Sequence, residues 1–406
     1  MTLASQQTGA NSAAAQYDIV IVGGAVMGSS IAWHLAKALG SGRGILVVEK
    51  DMTYAKSASA LSAGSIRQQY SSAVNIEISL YGIGFMRDIA NRLAVDGDKP
   101  EVGLREGGYL YVAGAEGAGI LAENQALQQR LGADILYLDA AALKQRFPYL
   151  ASDDLVCGTW GRTGEGWFDG YGLMQGFRKA ARAAGVSYLQ AEVVTLERDG
   201  DRIAGLTLSD GRRIGCGVLV NAAGALGNRK LAAMAGIAIP VWGKKRSVFR
   251  FTAREQLAGF PLLIDTSGVW VRPEGDGYIC GISPEDPHET DQAADFEVDW
   301  PQFEELVWPA LAARVPAFEA IRQGGAWAGH YDMNLFDHNA IVGRLGGLEN
   351  GYVAAGFSGH GLQQSPAVGR GLAELITQGR YVTLDLGDLS FERLAANRPL
   401  LERNVI

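Results

Sequence analysis

The segment VIVGGAVMGSS (residues 20–30) carries the strongest architectural signal in the chain. The apolar run Ile19 to Val22 reads as a buried parallel strand, Gly23 and Gly24 permit a tight turn, and Ile31, Leu35 and Leu39 then recur at helical spacing. A strand that turns directly into a helix leaves unpaired N–H groups at the helix's positive end, where a pyrophosphate gains hydrogen bonds and dipole stabilisation. In a GxGxxG fingerprint the third glycine, here Gly28, lets helix and strand pack closely, and an acidic residue roughly 20 positions on accepts from a ribose hydroxyl. Glu49 holds that position, at the end of a second apolar run, Ile45 to Val48, that reads as the next parallel strand. The second fingerprint position is Ala25 instead of glycine, which takes some room beside the pyrophosphate and removes no N–H donor. Gly23, Gly24, Ala25, Val26, Met27 and Gly28 are therefore the expected cradle, with Glu49 on the ribose.

A second glycine-rich segment, AAGFSGHGLQQSP (354–366), stands at the other end of the chain. It too lies between a strand-like run and a helix-like one, with Pro366 near the expected first turn of that helix. Together the two segments point to one dinucleotide held from both termini, and the dinucleotide they suggest is FAD. The first segment alone would equally suit a nicotinamide cofactor.

Between them the chain reads as two domains visited alternately. SASALSAGSIRQQY (57–70), rich in Ser, Ala and Gly, suits a loop passing close to the cofactor, so Ser57, Ala63 and Gly64 join the expected contacts. Asn75 is the expected cap of the helix that follows. GGYLYVAG (107–114), SVFRF (247–251), VWVRP (269–273) and YICGIS (278–283) read as strands of a sheet-based domain, with a helix over about 301–314. LMQGFRKAARAAG (173–185), the hairpin-like RIAGLTLSDGRRI and the buried strand VLVNAAGALG (218–227) return to the first domain. The expected fold class is α/β plus β. A Rossmann-like FAD-binding domain of glutathione-reductase type (17–98, 165–240 and 335–406) interleaves with a mainly antiparallel substrate-binding domain (99–164 and 241–334).

Composition sets the outer limits. With 406 residues and 48% hydrophobic content the chain can bury a large core and divide in two. The net charge of −8 argues against nucleic acid or an anionic membrane as partner, since either needs a basic stripe. Cys157, Cys216 and Cys280 show neither metal spacing nor an even framework, which fits buried thiols in a reducing compartment. The small, polar opening MTLASQQTGANSAAAQ (1–16) lacks the features of a secretion signal or mitochondrial presequence and reads as a disordered tail of a cytoplasmic protein. No apolar run is long enough to span a membrane, and a homo-oligomer remains open.

The ordered set VIVGGAVMG, VVEKD, SAGSIRQQY, VNAAGALG, WAGHYDMN and AAGFSGHG covers nearly the whole chain and resembles the D-amino-acid oxidase superfamily of FAD-dependent amine oxidoreductases, in the branch with sarcosine, glycine and dimethylglycine oxidases. EKDMTYAKSASALSAGSIRQQYSSAVNIEISL, PVWGKKRSV, WAGHYDMNLFDHN and GFSGHGLQQSPAVGR are most similar to the FAD-dependent oxidoreductase domain-containing family, whose mitochondrial member assists complex I assembly, with iminodiacetate-type oxidases among bacterial relatives.

The resemblance implies roles by position. Lys50 joins Glu49 beside the ADP half, Val193 or Val194 lies against the adenine, and Ala223 and Gly224 line the cofactor path. Gly356, Ser358, Gly359, His360, Gly361, Leu362 and Gln363 surround the flavin, several presenting backbone donors that favour its reduced anion. Arg67 aligns with an arginine that grips the substrate carboxylate, for which a forked guanidinium is suited. Tyr331 stands where glycine oxidases carry a carboxylate-binding arginine, and with His330 and Lys245 it is expected to face substrate; Lys244 is a further source of charge near the flavin. His360 is read as lining the cofactor, not as a base, and completes the catalytic set with Arg67 and Tyr331. The cysteine that bonds flavin covalently in sarcosine oxidases corresponds to Gly329, so the FAD is expected to be noncovalent. The lysines that assist oxygen reduction correspond to about Ile279 and to Gln363, which leaves the acceptor as oxygen or an electron carrier.

The expected function is oxidation of the C–N bond of an N-substituted amino acid by hydride transfer to flavin, with hydrolysis of the imine product. The alternative is a protein that holds FAD structurally and works through a protein partner.

Overall fold

The computed structural model describes residues 15–283 and 295–403. Its first sheet runs, from edge to edge, through Ile341–Arg344, Gly351–Ala355, Arg213–Asn221, Ala15–Val22, Ile45–Glu49 and Ser187–Gln190. The inner pairings are parallel, with Ile19 opposite both Val218 and Ile45, as two apolar runs joined by a helical crossover require. A parallel sheet must be covered on both faces. Helices Val26–Leu39, Ala73–Arg87, Gly170–Ala183 and Gly361–Gln378 cover one, meeting the fully buried Ile21 and Val47. Val20, Val22, Leu46 and Val48 face the other way, onto the antiparallel strands Val193–Asp199 and Arg202–Leu208 and the helix Asn228–Met234.

The second sheet takes the order Ile321–Asn334, Val241–Ala253, Gly277–Ile282, Val269–Glu274, Leu262–Ile264, Tyr109–Ala113, Cys157–Gly161 and Ile135–Asp139. All neighbours are antiparallel except Leu262–Ile264 beside Tyr109–Ala113. Phe249, Phe251, Tyr278 and Phe318 pack its outer face against the helical segment that begins at Trp300 and ends at Arg314. Tyr109 and Tyr111 emerge on the opposite face, toward the loop that carries Arg67. The three cysteines are buried and free. Among the described residues no helix is long and apolar enough to cross a membrane.

Three local expectations are corrected. The first strand already begins at Ala15, where Ala15 pairs with Ile214, so only residues 1–14 of the expected tail fall outside the described residues. Ser72, not Asn75, occupies the N-cap of Ala73–Arg87; Asn75 lies inside the helix, where its amide donates to Asn339 Oδ1 at 2.6 Å and to Glu402 Oε1 at 2.7 Å. Pro366 sits in the interior of Gly361–Gln378. The carbonyl it cannot reach, that of Leu362, accepts instead from the Ser365 hydroxyl at 2.9 Å, which offsets the lost helical bond.

Candidate functional site

A cavity of about 330 Å³ opens where the N-terminus of helix Val26–Leu39 meets both sheets. Gly23, Ala25, Val26 and Met27 line it from the first strand-to-helix turn, Glu49 and Lys50 from the end of the second strand, and Ser57 from the following loop. Ala223 and Gly224 close another side, and Gly359, Gly361 and Leu362 come from the C-terminal glycine turn. His330 and Tyr331 enter from the second sheet.

The turn has no space for a side chain at its third glycine. A Cβ on Gly28 would lie 1.8 Å from the Gly23 carbonyl oxygen, so the close approach requires glycine. Gly24 serves differently: its N–H donates to Glu49 Oε2 at 2.8 Å, while Asp51 N–H donates to Glu49 Oε1 at 2.9 Å. The carboxylate is thereby fixed at the cavity wall, with lone pairs left for a ribose hydroxyl. Ser59, which the sequence did not single out, accepts from Val26 N–H at 3.3 Å and ties the 57–64 loop to the helix start. The helix N-terminus and the two glycine turns supply donors and the fixed carboxylate an acceptor, a set that suits an adenine dinucleotide with a pyrophosphate.

Other expected cofactor residues stand back from the cavity wall. Ala63 gives its carbonyl to the Arg272 guanidinium, and Gly64 sits against the Phe168 carbonyl. Gly356 packs beside Asn334, and Ser358 Oγ accepts from Asn334 N–H at 3.1 Å. Val193 is buried in the apolar layer on the sheet's other side, and its neighbour Val194 is exposed. Neither side chain lines the cavity, because the strand they begin turns away to pair with Arg202–Leu208.

Beside the cavity lies a buried polar cluster centred on Arg67, which is 3% exposed. Its Nη1 donates to the Tyr111 hydroxyl at 2.6 Å and to Gln69 O at 2.7 Å, and its Nη2 lies 2.8 Å from His360 Nε2. Arginine only donates, so that imidazole nitrogen accepts. Burial, with the Arg67 charge alongside, holds His360 well below the usual histidine range and keeps it neutral. Burial works against the charge on Arg67 as well, but Tyr111 and Tyr70 outweigh it and hold the guanidinium above the usual arginine range. The Tyr70 ring lies 4.1 Å from the guanidinium carbon, with His360 edge-on to it.

Two side chains do something other than the sequence suggested. Gln363 turns toward the Arg67 loop: its Oε1 accepts from Arg67 N–H at 2.8 Å and its amide donates to the Tyr70 hydroxyl. Lys245 is ion-paired with Asp295 and pairs in register with His330, whereas Lys244 stands opposite Tyr331. Strand alternation therefore puts Lys244, not Lys245, on the face that carries Tyr331. Tyr331 packs against Gly359, where an added Cβ would lie 2.7 Å from its ring. Asp332 also lines the cavity, and burial pushes its carboxyl up to about 6. Its only signal in the sequence was its place inside WAGHYDMN.

Residues 18–375 match the family described as DAO, FAD dependent oxidoreductase. The chain is 41% identical to FAD-dependent oxidoreductase domain-containing protein 1 of Xenopus laevis, over 96% of this chain and 85% of that one. It is 25% identical to mitochondrial sarcosine dehydrogenase of Mus musculus over 89% of this chain and 40% of that protein. L-proline dehydrogenase from P. horikoshii superposes with a TM-score of 0.82 at 26% identity, over 95% of this chain and all of that one (100%).

Proposed function

This chain belongs to the DAO family of FAD-dependent oxidoreductases, and from that premise we propose that it oxidises the C–N bond of an N-substituted, secondary or tertiary, amino acid to an imine that water then hydrolyses. FAD, when bound, supplies the hydride acceptor. Gly23, Ala25, Glu49, Gly359 and Gly361 would hold it, since they line one cavity reached by a helix N-terminus. The observation that carries the substrate assignment is Arg67: a buried, charged guanidinium oriented by Tyr111 and His360 suits a carboxylate, and a carboxylate there fixes which carbon is presented for oxidation. Tyr331 supplies an aromatic wall, the Tyr70 ring backs the Arg67 guanidinium, and neutral His360 orients Arg67 without withdrawing its charge. Sarcosine and L-proline, named in the relatives, are both secondary amino acids, which supports this substrate class.

Supplying sarcosine, iminodiacetate, dimethylglycine and L-proline with an artificial electron acceptor tests the reading. Turnover with appearance of an aldehyde, oxo acid or cyclic imine is expected; no turnover with any of them contradicts it.

Gly329 offers no side chain to bond a flavin, and Leu61 crowds it, with an added Cβ lying 2.9 Å from the leucine Cβ. Acid denaturation of the purified protein is therefore expected to release all of its FAD into the supernatant. Yellow colour retained in the pellet would refute a noncovalent cofactor.

A further inference from the structure

Glu165 is fully buried at 0% exposure, although nothing about the cavity calls for an acid there. Its Oε1 accepts from the main-chain N–H of Gln68 at 2.5 Å and of Gln69 at 3.1 Å, and its Oε2 accepts from the Gln69 side-chain amide at 2.8 Å. These two residues follow Arg67 directly, and the carbonyl of Gln69 is the one that receives Arg67 Nη1 at 2.7 Å. Glu165 also adjoins the short strand Gly166–Trp167, which pairs with Ser65–Ile66 just before Arg67. The Arg67 segment is thus fixed on both sides from one stretch of chain.

That stretch is shaped around the carboxylate. A Cβ on Gly161 would lie 1.8 Å from Glu165 Oε2, so a side chain there would displace it. Burial pushes the carboxyl up to about 7, with the donors from Gln68 and Gln69 working against that shift, and such desolvation is a cost that a purely structural filler would avoid.

We propose that Glu165 is a positioning residue: it pins the backbone of Gln68 and Gln69 so that the Arg67 guanidinium is held ready for a substrate carboxylate. The inference rests on the carboxylate role of Arg67 given above. The main-chain N–H groups of Gln68 and Gln69 both rest on Glu165 Oε1, while the Gln69 amide also reaches the Tyr109 carbonyl at 3.3 Å; with the acid removed the two main-chain donors lose that oxygen, and a segment free to relax would carry the Gln69 carbonyl away from Arg67. Glu165 itself touches no substrate.

The test uses the FAD-loaded protein and acetate as the carboxylate probe, with binding read from the perturbation of the flavin absorbance. Glu165→Gln keeps an oxygen for both main-chain donors and is expected to bind acetate within about threefold of the wild type. Glu165→Asp keeps the carboxyl but withdraws it by one methylene, and is expected to weaken acetate by about tenfold, or ~1.4 kcal/mol. Glu165→Leu should weaken it further, and if that variant fails to fold the aspartate variant still decides. Arg67→Ala serves as the control. If Arg67→Ala abolishes acetate binding while the aspartate variant binds like the wild type, the positioning role is refuted and the Arg67 reading stands. If Arg67→Ala itself binds acetate normally, the reading on which the inference rests fails instead.

Discussion

Replacing Arg67 with alanine is expected to raise KM for an N-substituted amino acid on the order of 100-fold while the protein stays yellow. Truncating one partner of a buried, hydrogen-bonded charge pair costs roughly 2–5 kcal/mol, and every 1.4 kcal/mol is tenfold. Part of the loss comes from what is left behind, since Tyr111, the Gln69 carbonyl and His360 all give up the donor they now share. FAD should be retained, because Arg67 stands beside the cavity wall and not in it. Arg67→Lys should recover only part of the affinity: an ammonium can offer its charge but not the planar fork that reaches Tyr111 and His360 at once. Steady-state kinetics against the purified flavoprotein checks this, and an unchanged KM would remove the proposed carboxylate clamp.

The second large effect is expected at Gly28. Replacement by valine should give a colourless, thermally weakened protein, since even the first added carbon would lie 1.8 Å from the Gly23 carbonyl and 3.3 Å from Ile21 Cγ2. Overpacking a well-filled site costs about 1–3 kcal/mol, and more is expected where backbone must move, because the helix would be pushed off the strand whose turn would hold the pyrophosphate. Ala25, in contrast, lines the cavity at the helix N-cap with φ −69°, a conformation open to any residue. Ala25→Gly should therefore keep its FAD. Flavin content per chain and the melting temperature distinguish the two positions, and a yellow Gly28→Val protein of wild-type stability would contradict the assigned geometry.

How far the sequence could be read follows from which contacts are local. The turn at 20–30 and Glu49 were legible because a strand, a glycine turn and a helix are each written in consecutive residues, and the acid ends the next strand. Four strands of the second sheet, read at 107–114, 247–251, 269–273 and 278–283, were legible for the same reason, while Ile135–Asp139, Cys157–Gly161, Leu262–Ile264 and Ile321–Asn334 were not read. Side-chain direction was not. Asn75 looks like a cap until Asn339 and Glu402, distant in sequence, are seen to claim its amide. Gln363 looked like a cofactor contact because it follows the glycine turn, yet it faces Arg67 across nearly the whole chain. Lys244 and Lys245 are adjacent letters on opposite faces of one strand, and only the pairing register separates them. Tyr111 and Glu165 carried no motif at all; their roles come from tertiary packing around Arg67.

Hydride transfer from an N-substituted amino acid to a flavin in this cavity would be seen in the anaerobic absorbance of the purified protein as sarcosine, iminodiacetate, dimethylglycine and pipecolate are added in turn. Bleaching of the bound flavin band by at least one of them, in wild type and far less readily in Arg67→Ala, is the predicted result. A yellow protein that none of them bleaches would contradict it.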